Sequence, residues 1–262
     1  MASDTPLSLA GRRVAVTRAA SSDDALSARL AALGAEVLDC PAIAIAPPTS
    51  LEALDAALRE LSRVHWIAFA SANAVARTLA RAAELGLDTR ALASARLAAV
   101  GSATADRVAS LLRAPDLVPA DARGEALAAA LAPHVRGRRV LVPRAEEGRP
   151  ELVLGLEAAG AEVIAPAADR TVPVPPAALA PLGEALRAGR VDAVVLASPS
   201  AARSAVAALG APLLARAVVA VIGPTTAAEA RALGLGELVQ PGRSSGAAVA
   251  EALARTLGPA RR

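Results

Sequence analysis

The chain repeats itself, and nothing else in it restricts the fold so severely. A shift of 126 residues lays Arg12-Arg13-Val14-Ala15-Val16-Thr17-Arg18-Ala19 over Arg138-Arg139-Val140-Leu141-Val142-Pro143-Arg144-Ala145. The same shift puts Leu26 on Leu152, Leu30 on Leu156, and Gly34-Ala35-Glu36-Val37 on Gly160-Ala161-Glu162-Val163. A shift of 127 pairs Ile67-Ala68-Phe69-Ala70-Ser71-Ala72-Asn73-Ala74 with Val194-Val195-Leu196-Ala197-Ser198-Pro199-Ser200-Ala201. A third, of 122, sets Val100-Gly101-Ser102-Ala103-Thr104-Ala105 against Ile222-Gly223-Pro224-Thr225-Thr226-Ala227, and Leu117-Val118 falls on Leu238-Val239 soon after. Blocks that recur in order at nearly one spacing mean that one structural unit is used twice.

Every block has the same grammar: four or five β-favouring apolar residues, a small polar turn, then a Leu/Ala/Arg segment with helical spacing. Strands that are apolar throughout are buried on both faces, and alternating them with amphipathic helices gives parallel sheets covered on either side. The expected fold is α/β, with two similar doubly wound parallel-sheet domains of the flavodoxin-like kind. Two Pro-bounded stretches, Pro41 to Pro48 and Asp169 to Pro176, take equivalent places after the first βα element of each copy. Proline stops a helix, and these residues suit extended strands at a sheet edge or a two-stranded hinge, so the two stretches read as paired connectors. If the chain crosses at both places, one domain joins residues 1–41 to 172–262 and the other runs continuously over 42–171. Spacing alone also admits contiguous copies.

Composition removes whole classes of chemistry. All 28 basic residues are arginines, which excludes lysine Schiff bases, pyridoxal phosphate anchoring and the P-loop lysine. Tyrosine is absent, and Trp66 and Phe69 are the only other large aromatics, so stacking platforms for flavins or single-stranded nucleic acid are lacking. The isoelectric point near 10.6 follows from a net charge of +3 in a chain with few groups titrating above neutrality. The arginine pairs Arg12-Arg13, Arg138-Arg139 and Arg261-Arg262 form no stripe, and no nucleic-acid partner is expected. Lone Cys40, beside Pro41, reads as small apolar packing in a reducing compartment. Met1 to Gly11 carries Asp4 and no apolar run of signal-peptide length, and nowhere do about 18 apolar residues follow one another. A cytoplasmic protein without a membrane partner is the expectation.

Five strand-to-helix turns carry candidate binding groups: Phe69 to Asn73, Val100 to Thr104, Pro143 to Gly148, Ala197 to Ser200 and Ile222 to Thr226. In a parallel sheet such turns gather at the carboxyl ends of the strands, where helix N-termini offer unpaired N–H groups and partial positive charge. Any one hydroxyl there either caps its helix or reaches a ligand. Together, in two facing domains, the turns would line a cleft for a molecule with several carboxylates. No dinucleotide fingerprint, nucleophile elbow or HExxH motif occurs. His65, at the start of a strand, and His134, in a loop after Pro133, read as a strand-edge and a surface residue, and no metal site is expected. Glu146-Glu147 reads as solvated charge favouring a helix start.

In their order and spacing these segments resemble the uroporphyrinogen-III synthase family. The similarity runs from Gly11-Arg12-Arg13-Val14-Ala15-Val16-Thr17-Arg18 through His65 to Val75, Ala99 to Ala105, Val140 to Ala145 and Ser198 to Ala201. It ends on Ile222-Gly223-Pro224-Thr225-Thr226-Ala227, the most specific motif of the set. The resemblance implies two α/β domains joined by a two-stranded connector, with the first βα element packed into the C-terminal domain. It further implies a monomeric, cofactor-independent lyase that binds no metal. That enzyme takes the linear tetrapyrrole hydroxymethylbilane, removes water, and closes the macrocycle with inversion of the D ring to give uroporphyrinogen III. An electron-rich hydroxymethylpyrrole expels hydroxide itself as an azafulvene, so such an enzyme supplies a proton donor and positioning.

Residue by residue, the resemblance nominates the hydroxyls of Ser71, Thr104, Ser198 and Thr226 and the amides of Ser102, Ser200 and Thr225 for substrate binding. Thr226 is also a catalytic candidate. Where the family often carries a tyrosine in the second connector, a favoured proton donor, this chain has Asp169 before Arg170-Thr171. Asp169 reads either as the acid, its pKa raised by burial, or as a hinge carboxylate paired with Arg170. The rival functional reading is a non-catalytic two-domain binder of a polycarboxylate or phosphorylated ligand, using the same helix N-termini.

Overall fold

A computed structural model describes residues 7–19 and 25–260; Asp4 and the Arg261-Arg262 pair lie outside the described residues. The chain opens with β1 (Arg13–Val16), α1 (Ala25–Ala32), β2 (Glu36–Asp39) and β3 (Ile43–Ala46). There follow α2 (Glu52–Arg59), β4 (Trp66–Phe69), α3 (Ala72–Glu84), β5 (Arg96–Ala99), α4 (Ser102–Leu111) and α5 (Gly124–Val135). Next come β6 (Arg139–Leu141), β7 (Arg144–Ala145), α6 (Glu151–Ala158), β8 (Glu162–Ile164) and β9 (Ala167–Pro173). The last described elements are α7 (Ala180–Arg187), β10 (Ala193–Leu196), α8 (Pro199–Leu209), α9 (Ala211–Leu214), β11 (Val218–Val221), α10 (Pro224–Ala232) and α11 (Gly246–Leu257).

These elements form two compact units, residues 1–44 with 172–262, and residues 45–171. The chain therefore passes from one unit to the other within β3 and again within β9. The discontinuous unit holds a parallel sheet in the order β11-β10-β1-β2, and the continuous unit one in the order β5-β4-β6-β8. Under the sequence shifts these orders are the same: β1 answers to β6, β2 to β8, β10 to β4 and β11 to β5. The two units differ in where the chain enters. The sheet of the continuous unit begins on β4, whereas that of the other begins on β1, the counterpart of β6, so each is a circular permutation of its partner.

Details repeat with the strands. The Arg13–Glu36 pair (2.9 Å) has its counterpart in Arg139–Glu162 (2.6 Å). A Cβ on Gly246 would lie 2.9 Å from that of Leu26, and one on Gly124 3.5 Å from that of Leu152; each glycine lets a helix cross close to its neighbour. The bridges Ala98↔Leu117 and Ala220↔Val239 also correspond. They carry the 122-residue shift through unchanged, so Leu117 answers to Val239 rather than to Leu238.

The sheets are covered on both faces, as their apolar strands require. In the continuous unit Ile67, Phe69, Leu97 and Leu141 point to one core with α2, α3 and α4, while Trp66, Ala68, Ala98 and Val140 point to another with α5 and α6. That is the period-two alternation of strands. In the discontinuous unit Val14, Val16, Ala193, Val195 and Ala220 pack with α1 and α11. The two expected connector strands, β3 and β9, gain a third: β7 pairs with β9, giving a sheet in the order β3-β9-β7. His134 lies in the last turn of α5, not in a loop. Pro133, so near the helix end, removes little of the hydrogen-bond ladder.

Candidate active site

In each unit two hydroxyl-bearing turns leave the carboxyl ends of adjacent parallel strands. In the continuous unit they follow β4 and β5; in the discontinuous unit they follow β10 and β11. The structure divides the nominated residues into two kinds. Ser71 Oγ accepts the Ala74 N–H at 3.1 Å and Ser198 Oγ accepts that of Ala201 at 3.1 Å, so both serines cap their helices. Ser200 Oγ accepts from Arg203 at 3.3 Å.

The turns into α4 and α10 are different. Their N-cap positions are Gly101 and Gly223, which have no side chain to cap with. Both glycines have extended backbones, and the reason for them is space: a Cβ on Gly101 would lie 2.7 Å from that of Ala122, and one on Gly223 would strike Ser244 Oγ. The loop before the next helix closes over each turn. Among the described residues the amides of Ser102, Ala103 and Thr104, and of Thr225 and Thr226, have no acceptor, as first-turn donors do unless a cap or ligand supplies one. Thr104 and Thr226 are buried, yet neither hydroxyl makes a hydrogen bond among the described residues. Ser102 and Thr225 are exposed.

Asp169 occupies β9, opposite Ala145 of β7, beyond the carboxyl end of β6. It is 2 % exposed, and its Oδ2 has no hydrogen-bond partner. Burial pushes its carboxyl above the ordinary carboxylate range; Arg77 pulls it part of the way back, and Glu147 adds to the rise. Arg77 is anchored by a 2.7 Å hydrogen bond to the Ile45 carbonyl. The expected alternative, a pair with Arg170, is not formed: Arg170 Nε donates to the Pro47 carbonyl at 3.0 Å. Asp169 and Arg170 are adjacent strand residues and so face opposite sides.

Sequence reasoning missed Arg77 and Glu147 beside Asp169, and Ser244 over Gly223. No motif marks them, because each is brought to its place by a separate element. Glu146 does not open a helix; its Oε2 accepts the N–H (2.9 Å) and hydroxyl (3.1 Å) of Thr49, which hold its pKa below the usual range. The thiol of half-buried Cys40 is pushed up by burial and by Asp39, the opposite of an activated nucleophile. Among the described residues no three His, Cys, Asp or Glu side chains gather as metal ligands, and no helix is long and apolar enough to cross a membrane.

What these features define is a duplicated α/β protein with hydroxyls and bare backbone donors at its helix N-termini and, in the continuous unit, one buried carboxyl on β9. The family model described as uroporphyrinogen-III synthase HemD matches residues 24–251, and the chain belongs to the uroporphyrinogen-III synthase family. It is 34% identical over 157 residues to a uroporphyrinogen-III synthase of Synechococcus elongatus, a match that takes in 60% of this chain and 59% of that relative's length. The fold is shared with the uroporphyrinogen-III synthetase of Helicobacter pylori, at TM-score 0.62 and 15% identity over 94% of this chain and 98% of the other. It is also shared with a mutant uroporphyrinogen III synthase of Thermus thermophilus, at TM-score 0.57 and 21% identity over 94% and 97%.

Proposed function

We propose that the protein cyclises hydroxymethylbilane to uroporphyrinogen III, with loss of water and inversion of the D ring. The observation that carries this reading is the matched pair of uncapped turns, Gly101 to Thr104 and Gly223 to Thr226, in a chain of this family. Both present backbone donors at a helix N-terminus, where a carboxylate gains roughly 0.3–1 kcal/mol. The substrate has eight carboxylates, so several such contacts, with the hydroxyls of Thr104 and Thr226, suffice to hold it without lysine. Ser102 and Thr225 contribute through their amides in these two turns; Ser71, Ser198 and Ser200 contribute from the neighbouring turns, the two capping serines by fixing the geometry of α3 and α8.

Asp169 is the proton donor in this reading. A neutral carboxyl gives its proton to the departing hydroxyl, which leaves as water while the terminal pyrrole becomes an azafulvene. Attack at the substituted D-ring carbon gives a spiro intermediate that breaks and recloses. The carboxylate recovers a proton when the last pyrrole regains aromaticity, so no acid or base is used up. The protein then works in the cytosol as a monomer, on a small linear tetrapyrrole, with no cofactor.

The test is incubation with enzymatically generated hydroxymethylbilane, oxidation, and separation of the isomers. Isomer III is expected to dominate; isomer I alone, at the uncatalysed rate, would overturn the proposal. A mere binder would saturate with ligand and leave that ratio untouched. Thr226→Ala should lower kcat/KM about three- to tenfold, the worth of one neutral hydrogen bond, with the fold intact by circular dichroism. Unchanged kinetics would remove Thr226 from the site.

A further inference from the structure

The chain's two histidines and its only tryptophan meet in one place. At the amino ends of β4 and β5, on the edge of the continuous unit opposite the turns, lies a cavity of about 410 Å³ lined by His65, Trp66, Ser94, Arg96, His134 and Arg138. Trp66 forms its floor, 4 % exposed, with the Arg96 guanidinium 5.6 Å from the indole centroid and the His134 ring 6.0 Å away. No carboxylate lines it.

Duplication shows that this lining is not dictated by the fold. The counterpart cavity of the other unit carries Asp192, Glu237 and Thr256 beside Arg216, so two carboxylates face one guanidinium there. There Arg12, the counterpart of Arg138, binds Asp192 at 2.7 Å, and Asp192 also accepts the Arg13 N–H at 2.8 Å. In the continuous unit His65 stands in place of Asp192. Its Nδ1 accepts the Arg139 N–H at 3.2 Å, which leaves Nε2 as a donor. The backbone contact is kept and the negative charge is gone. Arg138 is thereby left without an ion pair among the described residues; Arg96, whose counterpart is Val218, forms no ion pair there either and acts on Asp116 only through its charge. Nearby carboxylates are already engaged: Asp116 by Leu97 N–H and Arg113, and Glu60 and Glu162 by Arg139.

We propose that this cavity binds a small divalent oxyanion of the phosphate type. Two unpaired guanidiniums and an imidazole N–H supply donors from β4, β5 and the α5–β6 link, an arrangement that suits a compact tetrahedral anion. The site is separate from the turns and does not depend on the proposed reaction.

Trp66 makes the test direct, because with no second tryptophan and no tyrosine the intrinsic emission reads this cavity alone. Titration of the full chain with inorganic phosphate at fixed ionic strength should change that emission saturably, and chloride should not. Arg96→Gln and Arg138→Gln should each weaken binding about fivefold, as exposed ion pairs allow, with the isomer ratio of the reaction unchanged. If either variant fails to fold, His134→Gln takes its place, with a smaller loss of affinity expected. Tighter binding of methyl phosphate than of phosphate would identify an esterified occupant, and the reverse order the free ion; both sustain the proposal. A non-saturable response, equal binding of succinate, or affinity unchanged in the variants would overturn it.

Discussion

Replacing Asp169 with asparagine should lower turnover about a hundredfold or more, the usual worth of a general acid, and should at the same time stabilise the protein at neutral pH. The two effects have one cause. A carboxyl that is 2 % exposed and has an unpartnered Oδ2 resists ionisation, so its pKa is raised in the folded state above an unfolded value of about 3.9. Between those two values the folded state binds more protons than the unfolded one. Stability therefore falls as pH rises through that window and stays reduced above it. Asparagine has no charge to acquire, so Asp169→Asn gains stability above the window and none below it. Thermal denaturation from roughly pH 4 to pH 8, run beside the isomer assay, measures both. Full activity in the variant would remove Asp169 as the acid, and lower stability at neutral pH would mean that the carboxylate has a partner.

The largest loss of stability is expected from Phe69→Ala, at about 3–5 kcal/mol. Phe69, the only phenylalanine, is fully buried at the end of β4 in the core that includes Leu54, Leu58, Val75 and Leu97. The cavity left behind would lie two residues before Ser71, so the cap of α3 loosens with it. The effect should be read by denaturant titration and by hydrogen exchange. Amides of β4, β5 and α3 should exchange faster, while those of β1, β10 and β11 keep their protection. Leu196, the counterpart in β10, should show the mirror pattern at a similar or smaller cost.

The strands and the turns are legible because they obey local rules: Trp66 to Phe69 and Ala193 to Leu196 are wholly buried and their sequences are apolar without a break. Other features are not written locally. The two-residue β7 exists only because β9 runs beside it, so Arg144-Ala145 reads as part of a turn. Ser71 and Thr104 look alike in sequence. What separates them is that one stands at the N-cap, while the other follows a glycine kept bare by Ala122. The isolation of Asp169 depends on Arg170 turning to the opposite side toward Pro47, which adjacency in sequence conceals. Pro133 makes His134 read as a loop residue, and its meeting with His65 and Trp66 requires α5 to lie on the sheet.

Where the units differ in chain entry, time on the ribosome differs too. Every strand of the β5-β4-β6-β8 sheet emerges within one uninterrupted stretch, whereas Val14 of β1 must wait for Ala193 before its inner edge is paired. Until β10 is made, the β1–β2 pair therefore has an open sheet edge, which β10 closes and β11 extends. What α5 and β6 achieve by a short covalent link, α11 and β1 achieve only across the length of the chain, where Arg12 meets the carbonyls of Leu257 and Gly258 at 3.0 and 3.1 Å.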